Sequence, residues 1–307
     1  MRYAILSLMF GASLSAQAVI EGPVAGWVWN ERTAFRAILG IPGAAVQSGS
    51  LRPPVPFAQV TISANEHFAI AITAADSSAR VLSLGSGALR PIDGVPAGAD
   101  GAVLSPSGRA AVLAFGSSRR LAVVTGLPGR PEFARDVDLT VEGMPDALAI
   151  SDDAGALLAA YRDNRLLLAF DEAGNRWRIP HQGEVRDVTF VSGTRDVMIA
   201  GESGVWSVSN VTAIPEIRQV WSGSALRVAA SPDGRRAIVI GGGEDSLAIL
   251  ELASGEAGTL PCQCKATALT RLSAGVYRIG GRDRGPLWIL DLESAQPRPL
   301  FVPAGPE

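Results

Sequence analysis

LRVAASPDGRRAIVIGGGEDSLAILEL, from Leu226 to Leu252, decides how the rest of the chain is read. Leu226–Ala230 is a short apolar strand. Ser231-Pro232-Asp233-Gly234 is a tight turn, with proline and glycine at positions that favour reversal. Ala237–Ile240 is a second strand, Gly241-Gly242-Gly243 opens a second turn, and Leu247–Leu252 is a third strand. Five weaker copies of this unit occur elsewhere, so the fold follows from a repeat.

The landmark of each copy is the turn after its first strand. These turns are Ser63-Ala64-Asn65-Glu66, Ser105-Pro106-Ser107-Gly108, Ser151-Asp152-Asp153-Ala154-Gly155, Ser192-Gly193-Thr194-Arg195, Ser231-Pro232-Asp233-Gly234 and Ser273-Ala274-Gly275. Successive serines lie 42, 46, 41, 39 and 42 residues apart. A four-stranded blade takes roughly 40–50 residues. No window after residue 18 sustains the i, i+3, i+4, i+7 spacing of an amphipathic helix. Strands apolar on both sides suit small sheets stacked radially, each buried by its two neighbours. The expected fold is therefore an all-β propeller.

Ahead of the six full units, Gly26–Asn30 and Phe35–Leu39 form a hairpin that reads as a half-unit. It aligns with the second half of later units, such as Leu287–Asp291 followed by Pro297–Leu300. Either the half-unit completes a seventh position, the favoured arrangement, or six blades close with the hairpin packed outside. Arg36, Arg90 and Arg298 recur at one place in the outer strand, where charge discourages unwanted pairing at a sheet edge. The expected domains are a leader over 1–18, the half-unit and connector over 19–56, six repeats over 57–303 and a tail over 304–307.

Ser231-Pro232-Asp233-Gly234 before an apolar strand resembles the bacterial WD-repeat and YVTN-type propellers, and Ser105-Pro106-Ser107-Gly108 is a looser copy. The resemblance implies a β-propeller over nearly the whole chain. It carries no activity, and the Gly-His and Trp-Asp pairs of typical WD repeats are missing.

Met1-Arg2, the apolar run Tyr3–Leu14 and Ala16-Gln17-Ala18 have the form of a secretory leader cleaved after Ala18. A run of about 12 apolar residues is too short to span a bilayer core of ~30 Å. The expected address is secreted or periplasmic, without a membrane span. The formal net charge is -3, with both signs dispersed and no basic run. Nucleic-acid binding, which draws on clustered cations, is not expected.

His67 and His181 are the only histidines, and the layout puts them on opposite faces. Gly-x-Ser-x-Gly, His-Glu-x-x-His and phosphate-loop patterns are absent. Gly241–Gly243 and Gly280-Gly281 each join two strands and read as hairpin turns. Asp171–Trp177 resembles the Asp-box turn of sialidase-like propellers, with one residue too many between aspartate and glycine. Cys262 and Cys264 form a Cys-x-Cys that an oxidising compartment could pair. An extended chain would hold their Cα atoms ~6.5–7 Å apart, the upper limit for a disulfide. Free thiols and a metal site are the alternatives.

Turns between second and third strands share a face with the connectors between blades. They carry Asp76, Arg119, Arg120, Asp163, Glu202, Glu244, Asp245, Asp283 and Arg284, a ring of mixed charge suited to a peptide or small polar ligand. The expected function is non-enzymatic binding of a protein or envelope component at this mouth, by a monomer without cofactor. A lactonase-like enzyme acting on a small cyclic ester or sugar derivative is the first alternative. A structural scaffold without a ligand site is the second.

Overall fold

The computed structural model describes residues 23–305 apart from 31–33, 65–66, 244–245, 263 and 281–285. The chain forms seven antiparallel sheets whose strands follow one another in sequence order, and these sheets are the blades of a β-propeller. Blade one covers residues 24–47, and blades two to seven cover 57–91, 101–138, 147–178, 185–222, 225–261 and 270–302. Blades two to seven have four strands each, and blade one has three.

Burial explains the stacking. The second strands Phe68–Thr73, Leu157–Tyr161 and Val197–Gly201 are buried at every position, so both sheet faces are covered. Outer strands such as Glu132–Asp138 and Glu216–Ser222 are mostly exposed and carry the charge. Seven apolar clusters fill seven contacts between neighbouring blades. One of them joins Val28 and Ile38 of blade one to Leu287 and Ile289 of blade seven, so the ring closes. Each fully buried Leu, Ile or Val adds roughly 1.5–3 kcal/mol. No blade could bury its own faces alone, which is why the repeat has to close.

The N-terminal hairpin is present as Val24–Asn30 paired with Ala34–Leu39, and it gains a third strand, Val46–Gln47, extended by a bridge from Phe35 to Leu51. Its two long strands are buried like the second and third strands of other blades, one strand inward of the alignment on Leu287–Asp291. Trp29 and Phe35, at its turn end, stack on Phe57 where the innermost strand of blade two begins. The end of the hairpin where Asn30 pairs with Ala34 therefore lies toward the face that holds the other second-to-third-strand turns. Among the described residues no strand takes the innermost place of blade one. The chain after blade seven returns to blade one, where Gln47 Nε2 donates to the Pro303 carbonyl at 3.2 Å.

The three matched arginines part company. Arg36 is in the middle strand of blade one and only 7% exposed, so it is no edge residue. Arg90 and Arg298 are exposed. Arg90 is also engaged, donating to the Pro128 and Gly129 carbonyls of the next blade at 2.6 and 3.0 Å.

The repeated serine has a mechanical reason. Ser231 Oγ accepts the backbone N–H of Arg236 at 2.9 Å and donates to Asp233 Oδ1 at 2.6 Å. Ser151 repeats this with Ala156 and Asp153, at 2.9 and 2.5 Å. Ser105 Oγ accepts from Ala110 at 3.2 Å. Each of these buried hydroxyls satisfies a backbone donor that the turn leaves unpaired. The serine frame slips in two blades. Val191, not Ser192, bonds five residues ahead to Asp196, and in blade seven the turn closes from Leu272 to Val276.

Candidate functional site: the mouth of the ring

The channel is lined by the innermost strands, and its two ends differ. At the serine-turn end, Arg271 of blade seven donates from Nη1 to the Pro106 carbonyl of blade three at 3.2 Å. Beside it, Asp152 of blade four accepts the N–H of Ser107 in blade three at 2.6 Å. It also accepts the N–H of Gly193 in blade five at 2.8 Å. Burial pushes the Asp152 carboxyl up, but the hydrogen bonds from Ser107 and Gly193 outweigh it and leave it below the ordinary range.

At the opposite end, second-to-third-strand turns in blades two to six are braced by the residue just before the innermost strand. Asp100 accepts the N–H of Gly116 and Asp146 that of Arg162, both at 2.7 Å. In blade five Glu184 occupies this place and accepts the Glu202 N–H with its backbone carbonyl at 3.0 Å. That frees its carboxylate, which receives Arg162 Nε at 3.0 Å and Arg186 Nε at 3.7 Å. Arg186 Nη1 in turn donates to Ser224 Oγ of blade six at 2.7 Å. A single charged network thus spans blades four, five and six at the rim.

One step along the same innermost strand, Val185–Phe190, stands Asp187. It keeps some solvent-accessible area yet has protein on nearly every side, as a group in a narrow channel does. Burial pushes its carboxyl up to about 6, against hydrogen bonds from Val228 and Val188 and the charge of Arg227, which act the other way. Asp187 Oδ2 accepts the Val228 N–H of blade six at 3.1 Å.

The residues expected at the mouth divide. Asp76 is spent on its own turn, accepting from Thr73 and Ser78, and the Ser78 and Thr73 hydroxyls hold its carboxyl down at about 2. Arg119 takes a left-handed conformation and reaches the Thr140 carbonyl at 3.4 Å. Arg120 lies over Phe115 and pairs with Asp136 at 3.0 Å. Asp163 and Glu202 are exposed, each beside a member of the Arg162–Glu184 network. Glu244, Asp245, Asp283 and Arg284 lie outside the described residues.

Sequence reasoning missed Arg162, Glu184, Arg186 and Asp187. A signal existed in the acidic residue that recurs directly before an innermost strand, at Asp100, Asp146 and Glu184.

His67 sits in a serine-face turn and His181 in a blade connector, where its Nδ1 lies 3.1 Å from the Ile179 carbonyl. Asp171 accepts the backbone and side-chain N–H of Asn175, both at 2.9 Å, so it serves its own turn. Cys262 and Cys264 are paired, with Cα atoms 5.1 Å apart, in the core between blades six and seven. Among the described residues no three potential metal ligands converge, and no helix is long and apolar enough to cross a membrane.

No family model matches the chain, and no curated protein is significantly similar to it in sequence. Solved structures are similar in shape. Kluyveromyces lactis Hsv2 with a complete loop 6CD aligns at a TM-score of 0.58 and 11% identity, over 92% of this chain and 98% of that one. A functionally unknown protein from Desulfotomaculum acetoxidans aligns at 0.59 and 12%, over the same shares. Hydrazine synthase of Kuenenia stuttgartiensis aligns at 0.53 and 16%, over 76% of each chain. At such low identity the likeness bears on architecture alone, and what it establishes is that this chain is a β-propeller.

Proposed function

We propose that the protein is an exported, non-enzymatic propeller that binds a protein or cell-envelope component through its mouth face. The observation that carries this reading is the Arg162–Glu184–Arg186–Ser224 network, which presents charge across three blades at the end of the channel away from Arg271. Exposed Asp163 and Glu202 extend it outward. Alternating signs in a rigid rim favour a polar surface of matched charge over a bare polyanion. The leader-like start of the chain supports delivery to the envelope.

A lactonase-like site would need carboxylates free to converge on a cation at the mouth. Glu184 is engaged by two arginines and Asp187 by the Val228 N–H, so no observation favours that reading. The test is co-purification of cross-linked partners with wild type, Arg186→Glu and, on the serine face, Arg109→Glu. Loss of the adducts only with Arg186→Glu supports the proposal. Loss only with Arg109→Glu contradicts it.

A further inference from the structure

A groove of about 870 Å³ opens on the serine face beside His67 and Ser86 and runs between blades one and two as far as Phe35. Small-molecule sites occupy roughly 300–1,000 Å³ and combine an apolar lining with a few placed polar groups. This groove fits that description. Its floor is Trp27, Phe35, Leu82 and Leu84, all buried members of the core between the two blades. It opens where the outer strand of blade one gives out and the chain leaves through Arg52-Pro53-Pro54.

The polar groups at its rim are donors. Arg52 is exposed and makes no ion pair or side-chain hydrogen bond among the described residues. Pro53 and Pro54 restrict the backbone that carries it. His67 is held in a left-handed turn, with φ 50°, where its Nδ1 accepts from Trp27 Nε1 at 3.4 Å. A ring that accepts at Nδ1 carries its proton on Nε2 when neutral, so the second nitrogen is a donor too. Ser83 and Ser86 complete the lining, in and beside the open Gly85-Ser86-Gly87 turn, where Ser86 Oγ accepts the Ala88 N–H at 3.3 Å. No aspartate or glutamate lines the groove among the described residues.

We infer that this groove binds a small amphipathic acid, with its apolar body on Trp27 and Leu84 and its carboxylate toward Arg52 and His67. An apolar floor alone would take any greasy molecule. The unpaired guanidinium, with no carboxylate among the described residues of the lining, selects the acid over its neutral counterpart.

The test is fluorescence titration of the purified protein with 11-(dansylamino)undecanoate and with its methyl ester. The account predicts saturable one-to-one binding of the acid, with the ester about tenfold weaker or worse. Arg52→Glu should weaken the acid by about tenfold or more and leave the ester unchanged. Ser86→Trp, which fills the groove from an exposed turn, should abolish binding of both. Circular dichroism and thermal midpoint should match wild type for both variants, because neither position is in the core. Absence of saturation, or equal binding of acid and ester, overturns the inference. So does acid binding that survives Arg52→Glu or Ser86→Trp, since the probe then sits elsewhere.

Discussion

Arg271 and Pro106 are joined by a hydrogen bond of 3.2 Å although 165 residues separate them. Blades seven and three are not neighbours in a seven-membered ring, so this bond crosses the channel. Burial lowers the Arg271 pKa, while Tyr277 and Asp152 work in the opposite direction. The serine end of the channel is thereby bridged by protein, which is why the proposed binding face is the opposite one.

Asp152 is the hub of that bridge, accepting donors from blades three and five. Asp152→Ala strands at least two backbone N–H groups in a half-buried site, at a cost of roughly 2–4 kcal/mol. Urea unfolding at neutral pH should show it. Its folded pKa lies below the ordinary 3.8, so its contribution is complete above that value and is lost as the pH falls through the folded pKa. The gap between wild type and variant should therefore shrink at the acid extreme.

Asp187 predicts the opposite slope. Its folded pKa of about 6 exceeds the reference 3.8, so the native state binds the extra proton between those values. Stability falls as the pH rises through that window, with a slope of at most about 1.4 kcal/mol per pH unit. Asp187→Asn keeps an acceptor for the Val228 N–H and removes the buried charge. It should raise the unfolding midpoint at pH 8 and leave it unchanged near pH 4.

The serine turns predict two substitution costs. Ser231→Ala removes the acceptor for the Arg236 N–H and should cost about 1–2 kcal/mol. Gly234 has φ +67° and an added Cβ would stand 2.9 Å from Val191 Cγ1, so Gly234→Ala should cost roughly 1–3 kcal/mol. Chemical denaturation of the two variants and wild type checks both.

The proposed export route predicts a mature chain that begins at Val19, with Cys262 and Cys264 oxidised. Intact-mass measurement on the exported protein, with and without reductant and alkylation, reads both. A chain that retains Met1-Arg2 would contradict it.

How far the sequence carried can be judged at particular residues. The repeat was legible because Ser105, Ser151 and Ser231 each hold a turn with a hydroxyl that accepts a backbone N–H, whereas the seventh blade rested on the half-unit alone. Ser192 and Ser273 kept the period while missing the role by one residue, since a neighbouring backbone can close the same turn. Arg36 misled because two strands, once assigned to the outer half of a unit, hide the difference between a middle strand and an edge. The mouth was legible as a face but not as a set of residues. Turn position marks exposure, and Asp76 is exposed yet spends its carboxylate on its own turn. Arg162 and Glu184 lie 22 positions apart in sequence and meet only when blades four and five are stacked.

The mouth claim is tested most directly by a photo-cross-linking residue, p-benzoylphenylalanine, placed at Asp163 on the mouth face or at Arg109 on the serine face of the full chain in its native cells. The account predicts a discrete cross-linked adduct from position 163 and none from position 109. An adduct from position 109 alone, or from neither, would contradict it.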